Sequence, residues 1–282
     1  MAALRAIVEG TAHSTGEEFF RTLVRRLSRA VDAQYAFVAE FASPETKTRV
    51  RTIAFWAKDR IADNLEWTLA GTPCEDVLRG ALCHHPSQVR QTFPDDRLLV
   101  DLGVESYLGV PLLSPQDDVL GHLAVFDERP MPEEPRKLLI FRIFAARAAA
   151  ELARLRLERE LRESEQRFRD LYEEAPIAYV KEDLESRFIS ANRAALQILG
   201  IKPEEASGMT EMSLAPKTSD AQRRVKEALA STGRGDETSG VVLELRRKDN
   251  GKPVWVERWS KPEPGGKYTR TMFVDITARV LA

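Results

Sequence analysis

The sequence is poor in thiols and imidazoles. Of 282 residues only Cys74 and Cys83 are cysteine, and only four are histidine, none beyond His122. Two cysteines make no disulfide framework, so a reducing, cytoplasmic compartment is expected. No apolar run approaches the ~18 residues that a membrane span requires. The opening stretch MAALRAIVEGTAHSTGEEFF has no lengthy apolar core, so no secretory leader is expected. With 42 basic and 44 acidic residues the net charge is −2. No strong overall field therefore draws the chain to nucleic acid. The glycines do not fall into a phosphate-loop spacing, and no Gly-x-Ser-x-Gly nucleophile motif occurs.

What is present is an ordinary globular composition, 43% apolar and 30% charged, long enough for two domains. Between them lies one long charged helix, about Arg136 to Leu171. It contains no Gly or Pro and is rich in Ala, Leu, Glu and Arg. Its first third is apolar almost all round and should pack on the domain before it. From Glu151 onward the expected apolar stripe is Leu152, Leu155, Leu161, Phe168 and Leu171, with Leu157 off the stripe and Glu158 and Ser164 near it. Glu158/Arg162, Glu163/Arg167 and Glu165/Arg169 are acid-before-base pairs four residues apart, which support a helix by a few tenths of a kcal/mol each. Two readings stand: a connector helix that caps its neighbours, or a parallel dimer seam that carries a conformational signal.

The first 150 residues read as helix, strands, a helical excursion, two strands and the long helix. Ser14 or Thr15, with Glu17 and Glu18, caps a helix whose apolar face is Phe19, Phe20, Leu23, Val24, Leu27 and Val31. Tyr35, Phe37, Ala39 and Phe41 alternate along a strand. VRTIAFWA is its hairpin partner, NLEWTLAG a third strand and GTPCEDVLRG a short helix. ALCHHPSQVRQTFPDDRLLVDLGV runs through loop and short helix. ESYLGVPLL and DVLGHLAVFD are strands. Cys74, Cys83, His84 and His85 offer soft ligands for Zn or Fe, but Cys-x8-Cys-His-His is not a standard zinc spacing. The alternative is that the cysteines pack as small apolar residues and the histidines lie on a loop. His122, within a strand, is either a packed core histidine or a haem ligand.

After the long helix come a strand (EEAPIAYVKED), a strand running into a short helix (ESRFISANRAALQILG), short helical turns and an amphipathic helix with Ala221, Val225, Ala228 and Leu229 inward. Three antiparallel strands follow. Asn192 is placed to cap its helix. Asp249-Asn250-Gly251-Lys252 is a hairpin signal in which Asn-Gly supplies positive φ, and Pro262 to Gly266 is the next turn. Trp255, Glu257 and Trp259 share one strand face, Val254 and Val256 the other. The Trp pair either stacks on a flat ligand or covers a packing or dimer face.

Both halves resemble known families. GTPCEDVLRG, LGVESYLGVPL and VLGHLAVFDERPM look strongly like GAF sensor domains. That resemblance implies a pocket between the sheet and the helical excursion, near Phe55, Trp67, Cys74, Phe93, Leu99, Tyr107 and His122. A covalent bilin is disfavoured, because Asp95-Asp96 stands where a Cys-His pair would be required. The cyclic-nucleotide signature of such domains is absent too. SEQRFRDLYEEAPIAYVKED, FISANRAALQILG, DNGKPVWVERW and MFVDITARV resemble the PAS family. This implies a five-stranded antiparallel sheet with short helices over one face, Asn192 and Trp255 as candidate ligand contacts, and an exit at Asp275, Ile276 and Thr277. A PAS haem held by histidine and a cysteinyl-flavin are excluded in this half, which has neither residue. A non-covalent flavin or small organic ligand remains open, and the cofactor is unassigned.

The expected class is therefore α+β: a GAF-like domain over 8–150, a helical linker over 151–165 and a PAS-like domain over 166–281. No phosphoacceptor-histidine helix, ATP-binding domain, helix-turn-helix or cyclase-like segment is legible before Ala282. The resemblance implies the sensory module of a bacterial signal-transduction protein, similar to the N-terminal part of sensor histidine kinases. It would be a homodimer, signalling through Leu152, Leu155, Leu161, Phe168, Leu171, Asp275 and Thr277 to an output kinase or regulator in cis or in trans. The alternatives are a structural dimerisation or adaptor module without ligand, and a thiol redox enzyme at Cys74 or Cys83.

Overall fold

The computed structural model describes residues 15–43, 45–234, 236–263 and 265–282. Residues 8–14 of the first expected domain, Ser14 as a cap among them, lie outside the described residues. So do Pro44 and Pro264 of the two expected turns. The chain forms two compact units that divide between Leu161 and Arg162. Each is built on one antiparallel sheet, and the class is α+β. Among the described residues no helix is long and apolar enough to cross a membrane.

The first unit opens with α1 (Gly16–Val31), whose face Phe19, Phe20, Leu23, Val24, Leu27 and Val31 is buried as the 3.6-residue period dictates. Thr15 is the N-cap residue, but its side chain accepts no capping bond. The Gly16 N–H instead donates to Glu151 Oε1 at 2.7 Å, so a carboxylate distant in sequence supplies the cap. Strands β1 (Tyr35–Phe41), β2 (Arg49–Ala57), β3 (Arg60–Ala62), β4 (Glu66–Thr68), β5 (Cys83–His85), β6 (Ser106–Leu113) and β7 (Val119–Asp127) form a sheet ordered β3-β2-β1-β7-β6-β5, with β4 also on β2. Between β4 and β6 run α2 (Pro73–Leu78), α3 (Val89–Thr92) and α4 (Arg97–Asp101).

All seven residues of β1 are buried, not only the four that alternate. β1 is central and both faces of the sheet are covered. Ala36 and Val38 join the core under α1, whereas Tyr35, Phe37, Ala39 and Phe41 join the core under the helical excursion. Gly121, paired with Glu40, has no room for a side chain, because a Cβ there would run into the Ala39 carbonyl. The reading of His84 and His85 as loop residues is corrected. Cys83, His84 and His85 pair with Gly109, Leu108 and Tyr107 as the edge strand β5. Three residues are too few to show an alternation.

The long helix α5 spans Pro135–Glu173, 39 residues. Phe141, Phe144, Ala145, Ala148 and Leu152 are buried in the α1-side core, and Leu155 packs against it. Arg156 donates to the Leu120 carbonyl, and Arg159 reaches the buried Glu40 at 3.6 Å. The expected stripe therefore needs correction. Leu152 and Leu155 belong to the first unit's own core, whereas Leu157, Leu161, Phe168 and Leu171 are exposed, at 66%, 60%, 71% and 76%. At about 100° per residue these four fall within about 80° of arc, and Leu152 and Leu155 lie about 150° away on the other side. The expected i,i+4 pairs are not formed either. Glu158 pairs back to Arg154 at 2.8 Å, which Glu151 already holds.

The second unit carries β8 (Ala178–Glu182), β9 (Phe188–Ala191), β10 (Thr238–Arg246), β11 (Pro253–Pro262) and β12 (Thr269–Asp275), ordered β10-β11-β12-β8-β9. Over one face lie α6 (Arg193–Leu199), α7 (Pro203–Ala206), a 3-10 turn (Glu211–Leu214) and α8 (Ser219–Gly233), closing a core of Val180, Phe188, Leu199, Val225, Leu245, Val254, Val256 and Phe273. Helix α9 (Thr277–Leu281) follows β12. In the β10–β11 turn only Gly251 has positive φ, at 71°. Arg247 N–H donates to the Lys252 carbonyl and Gly251 N–H to the Arg247 carbonyl, so the loop is wider than the two-residue Asn-Gly turn expected.

Candidate functional site

In the first unit, sequence and fold bring seven candidate residues to one face of the sheet. Phe55, Cys74, Leu99 and Tyr107 lie in one buried cluster, with Trp67 and Phe93 packed against it. His122, fully buried on β7, meets Phe37 edge-on at 5.0 Å and Trp67 at 6.4 Å between ring centroids. Tyr35 stacks on Phe126 at 4.8 Å. Neither His122 ring nitrogen has a hydrogen-bond partner among the described residues. Burial alone pushes its pKa down to about 3, so the ring is neutral across the physiological range. A buried imidazole with two unmet nitrogens in an aromatic surround is costly, and it suits a polar group of a ligand or a trapped water.

The sulfur chemistry is quiet. The Cys74 thiol lies 3.5 Å from the Tyr107 hydroxyl. Burial pushes the Cys74 pKa up to about 12 and that of Cys83 up to about 11. Such thiols hold almost no thiolate at neutral pH, the reverse of a reactive cysteine. His84 Nε2 lies 3.0 Å from the Met131 carbonyl, and His85 packs edge-on against Phe93 at 5.2 Å. Among the described residues no three His, Cys, Asp or Glu side chains are placed to share a metal ion. Asp96 caps α4 by accepting the Leu99 N–H at 3.3 Å. The cleft of about 460 Å³ beside β5, lined by Val31, Leu82, His84, Pro86 and Met131, contains none of the seven.

In the second unit Asn192 is fully buried and fully used. Its Oδ1 accepts from Tyr179 N–H and Ala195 N–H, at 2.9 and 3.0 Å, and its Nδ2 donates to the Tyr172 and Ile177 carbonyls, at 2.9 and 3.0 Å. It caps α6 and ties the end of α5 to β8, with no polar atom left for a ligand. Trp255 lies on the sheet face opposite Val254 and Val256, away from the core. Its backbone N–H donates to Thr277 Oγ1 at 2.9 Å, and Asp275 Oδ1 accepts the Thr277 backbone N–H at 2.8 Å, so the Asp-Ile-Thr exit fastens α9 to β11. A groove of about 560 Å³ on the outer sheet face is lined by Phe168, Leu171, Tyr172, Tyr179, Tyr268 and Arg270.

Sequence reasoning missed a buried charge cluster. Arg258 on β11, Glu182 on β8 and Glu211 on the 3-10 turn are 0%, 0% and 1% exposed. Arg258 Nε donates to Glu211 Oε1 at 3.0 Å and Nη2 to Glu182 Oε2 at 3.3 Å. A usable signal existed: the alternation that puts Val254 and Val256 inward continues to Arg258, and Ala178 and Val180 continue to Glu182.

A family model described as GAF domain matches residues 15–152, and one described as PAS fold matches residues 174–281. No curated protein matches the chain. Among solved structures, the GAF domain from Acinetobacter phosphoenolpyruvate-protein phosphotransferase is 15% identical, over 56% of this chain and 96% of that one, with a TM-score of 0.46. The PAS domain of an HTR-like protein from Haloarcula marismortui is 20% identical, over 43% of this chain and 98% of that one, with a TM-score of 0.36. A domain of a sensory box sensor histidine kinase/response regulator from Geobacter sulfurreducens is 19% identical, over 41% and 96%, with a TM-score of 0.35. The chain carries a GAF domain followed by a domain of the PAS fold, the two kinds of sensory domain met in signalling proteins.

Proposed function

We propose that the chain is the sensory part of a bacterial, cytoplasmic signal-transduction protein that works as a homodimer. The observation that carries this reading is the exposed stripe Leu157, Leu161, Phe168 and Leu171 on α5, the helix inside which the two units divide. A solvent-facing apolar stripe on a monomer has nothing to bury against. A parallel copy of the helix supplies that surface at spacings of four, seven and three residues, with Ser164 at the weak intervening position. The input is a small organic ligand in the GAF core, where its polar group answers the His122 nitrogens between Phe37 and Trp67. The ligand acts through its different affinity for two states of the helix pair. The output is a kinase or regulator, reached through α9 in cis or by docking in trans.

A second reading, a dimerisation module with a filled core, is favoured by the close stacking of Tyr35 on Phe126 and the Cys74–Tyr107 contact. The raised thiol pKa values weigh against thiol redox chemistry at Cys74 or Cys83. The test is native mass spectrometry and absorbance of the full chain as purified. The sensor reading expects a dimer that releases a stoichiometric small molecule on denaturation. A dimer with nothing bound favours the dimerisation module, and a monomer overturns both.

A further inference from the structure

The buried cluster of the second unit has an imbalance of charge. Two carboxylates and one guanidinium carry a net −1 when all are ionised, in a place that water does not reach. The guanidinium is shared, Nε to one acid and Nη2 to the other, so neither acid has the two-pronged pairing that best offsets desolvation. Thr271 Oγ1 donates to Glu182 Oε2 at 2.5 Å. Since Thr271 has one proton to give, Ser260, 2.8 Å from it, is the donor in that contact. After these bonds, Glu182 Oε1 and Glu211 Oε2 have no partner among the described residues. One ionised carboxylate is matched by Arg258, but a second is left with half its lone pairs unmet.

We propose that Glu182, bonded to an arginine that it shares with Glu211, holds one bound proton, and that its gain or loss sets how tightly the Glu211–Leu214 turn is held against the sheet. Among the described residues, Arg258 and Ser260 from β11, Thr271 from β12 and the buried ring of Phe188, the register partner of Glu182, from β9 surround the pair, while α8 and β10, which also pack on the turn, turn Val225, Ala228, Leu243 and Leu245 inward. The charged neighbours Lys181 and Arg270 alternate to the other sheet face. Burial first, then the Glu211 charge, raises the Glu182 pKa to about 7, so the proton exchanges near neutrality. Glu182 is fixed in a strand paired on both sides, to β12 and to β9. Glu211 stands on a four-residue turn, so the turn is the element that gives way when Glu182 ionises. The second unit has no histidine or cysteine, and no side chain in it is an ordinary titrator between pH 5 and 8. The proton site stands whether or not the GAF core takes a ligand, so its failure and that of the sensor reading are distinguishable.

The test uses the full chain and infrared difference spectroscopy between about pH 5.5 and about pH 8.5. The wild type should show the carbonyl stretch of one buried carboxylic acid, lost as pH rises through about 7. Glu182→Gln and Glu211→Gln should each abolish that band, because either change leaves one acid for one guanidinium. A second measurement needs no variant. Amide exchange of peptides covering Glu211–Leu214, corrected for the intrinsic pH dependence, should be about threefold or more faster at the higher pH. A band that survives in both variants, no band in the wild type, or exchange of the turn that does not change with pH overturns the proposal.

Discussion

Phe168→Ala tests the helix seam most directly. Fully burying a Leu or Phe side chain stabilises by roughly 2 kcal/mol, and the four stripe residues are about two-thirds exposed, so each has about 1.4 kcal/mol to gain. Eight such side chains across a two-fold seam give about 11 kcal/mol. Association costs at least about 4 kcal/mol, which leaves at most about 7 and a dissociation constant near 10 µM. Phe168→Ala removes two rings, about 3 kcal/mol, and should weaken the dimer by more than about 100-fold, into the millimolar range. Within its own chain Phe168 is 71% exposed and its stack on Tyr172 is loose, 6.3 Å between centroids, so folding should be nearly unchanged. Sedimentation velocity from about 1 to 100 µM reads both. A wild type that stays monomeric throughout refutes the seam. A wild-type dimer indifferent to the substitution refutes this placement of it.

Three further outcomes are expected. His122→Phe removes two buried unpartnered nitrogens and should raise stability by about 1–2 kcal/mol in urea melts while abolishing any co-purifying ligand; a loss of stability would mean that the nitrogens are satisfied. Asn192→Ala orphans two N–H groups and two carbonyls and should cost about 3 kcal/mol or more, read as a lower urea midpoint by circular dichroism; an unchanged midpoint would remove Asn192 as the tie between α5, β8 and α6. Glu182 has a folded pKa raised to about 7 against an ordinary 4.5, so the folded state holds a proton that the unfolded state has released. Its stabilising contribution is fully present below about pH 4.5 and is lost as pH rises to about 7, a decline of up to about 3 kcal/mol. Glu182→Gln should flatten that decline in urea midpoints taken across the window, and an equally steep variant would contradict it.

The α5 stripe shows how the sequence can mislead about a helix face. Leu152, Leu155, Leu161, Phe168 and Leu171 are all apolar and helical, but they mix two sides of one cylinder. Angle alone separates them, and only packing tells which side is already occupied. The cap of α1 was illegible for another reason, since Glu151 lies far along the chain from Gly16. The Arg258 cluster was half legible: strand alternation points Arg258 and Glu182 inward, but nothing local shows that Glu211 comes to meet them.

By itself the sequence determined the α+β class, the two antiparallel sheets, the long helix, the order of the two sensory folds and seven of the residues that face the GAF core. The class and the helix follow from periodicity, turn chemistry and strong helix formers, and the two sensory folds and the core candidates from short motifs that resemble known families, all read within a few residues of one another. Tertiary structure alone decided which leucines of α5 stay exposed, that both faces of β1 are covered, that Asn192 has no polar atom left for a ligand while His122 has two, and that two acids share one buried arginine. Those depend on which distant segments close over a residue, and burial sets the energy of a polar group only once its surroundings are complete.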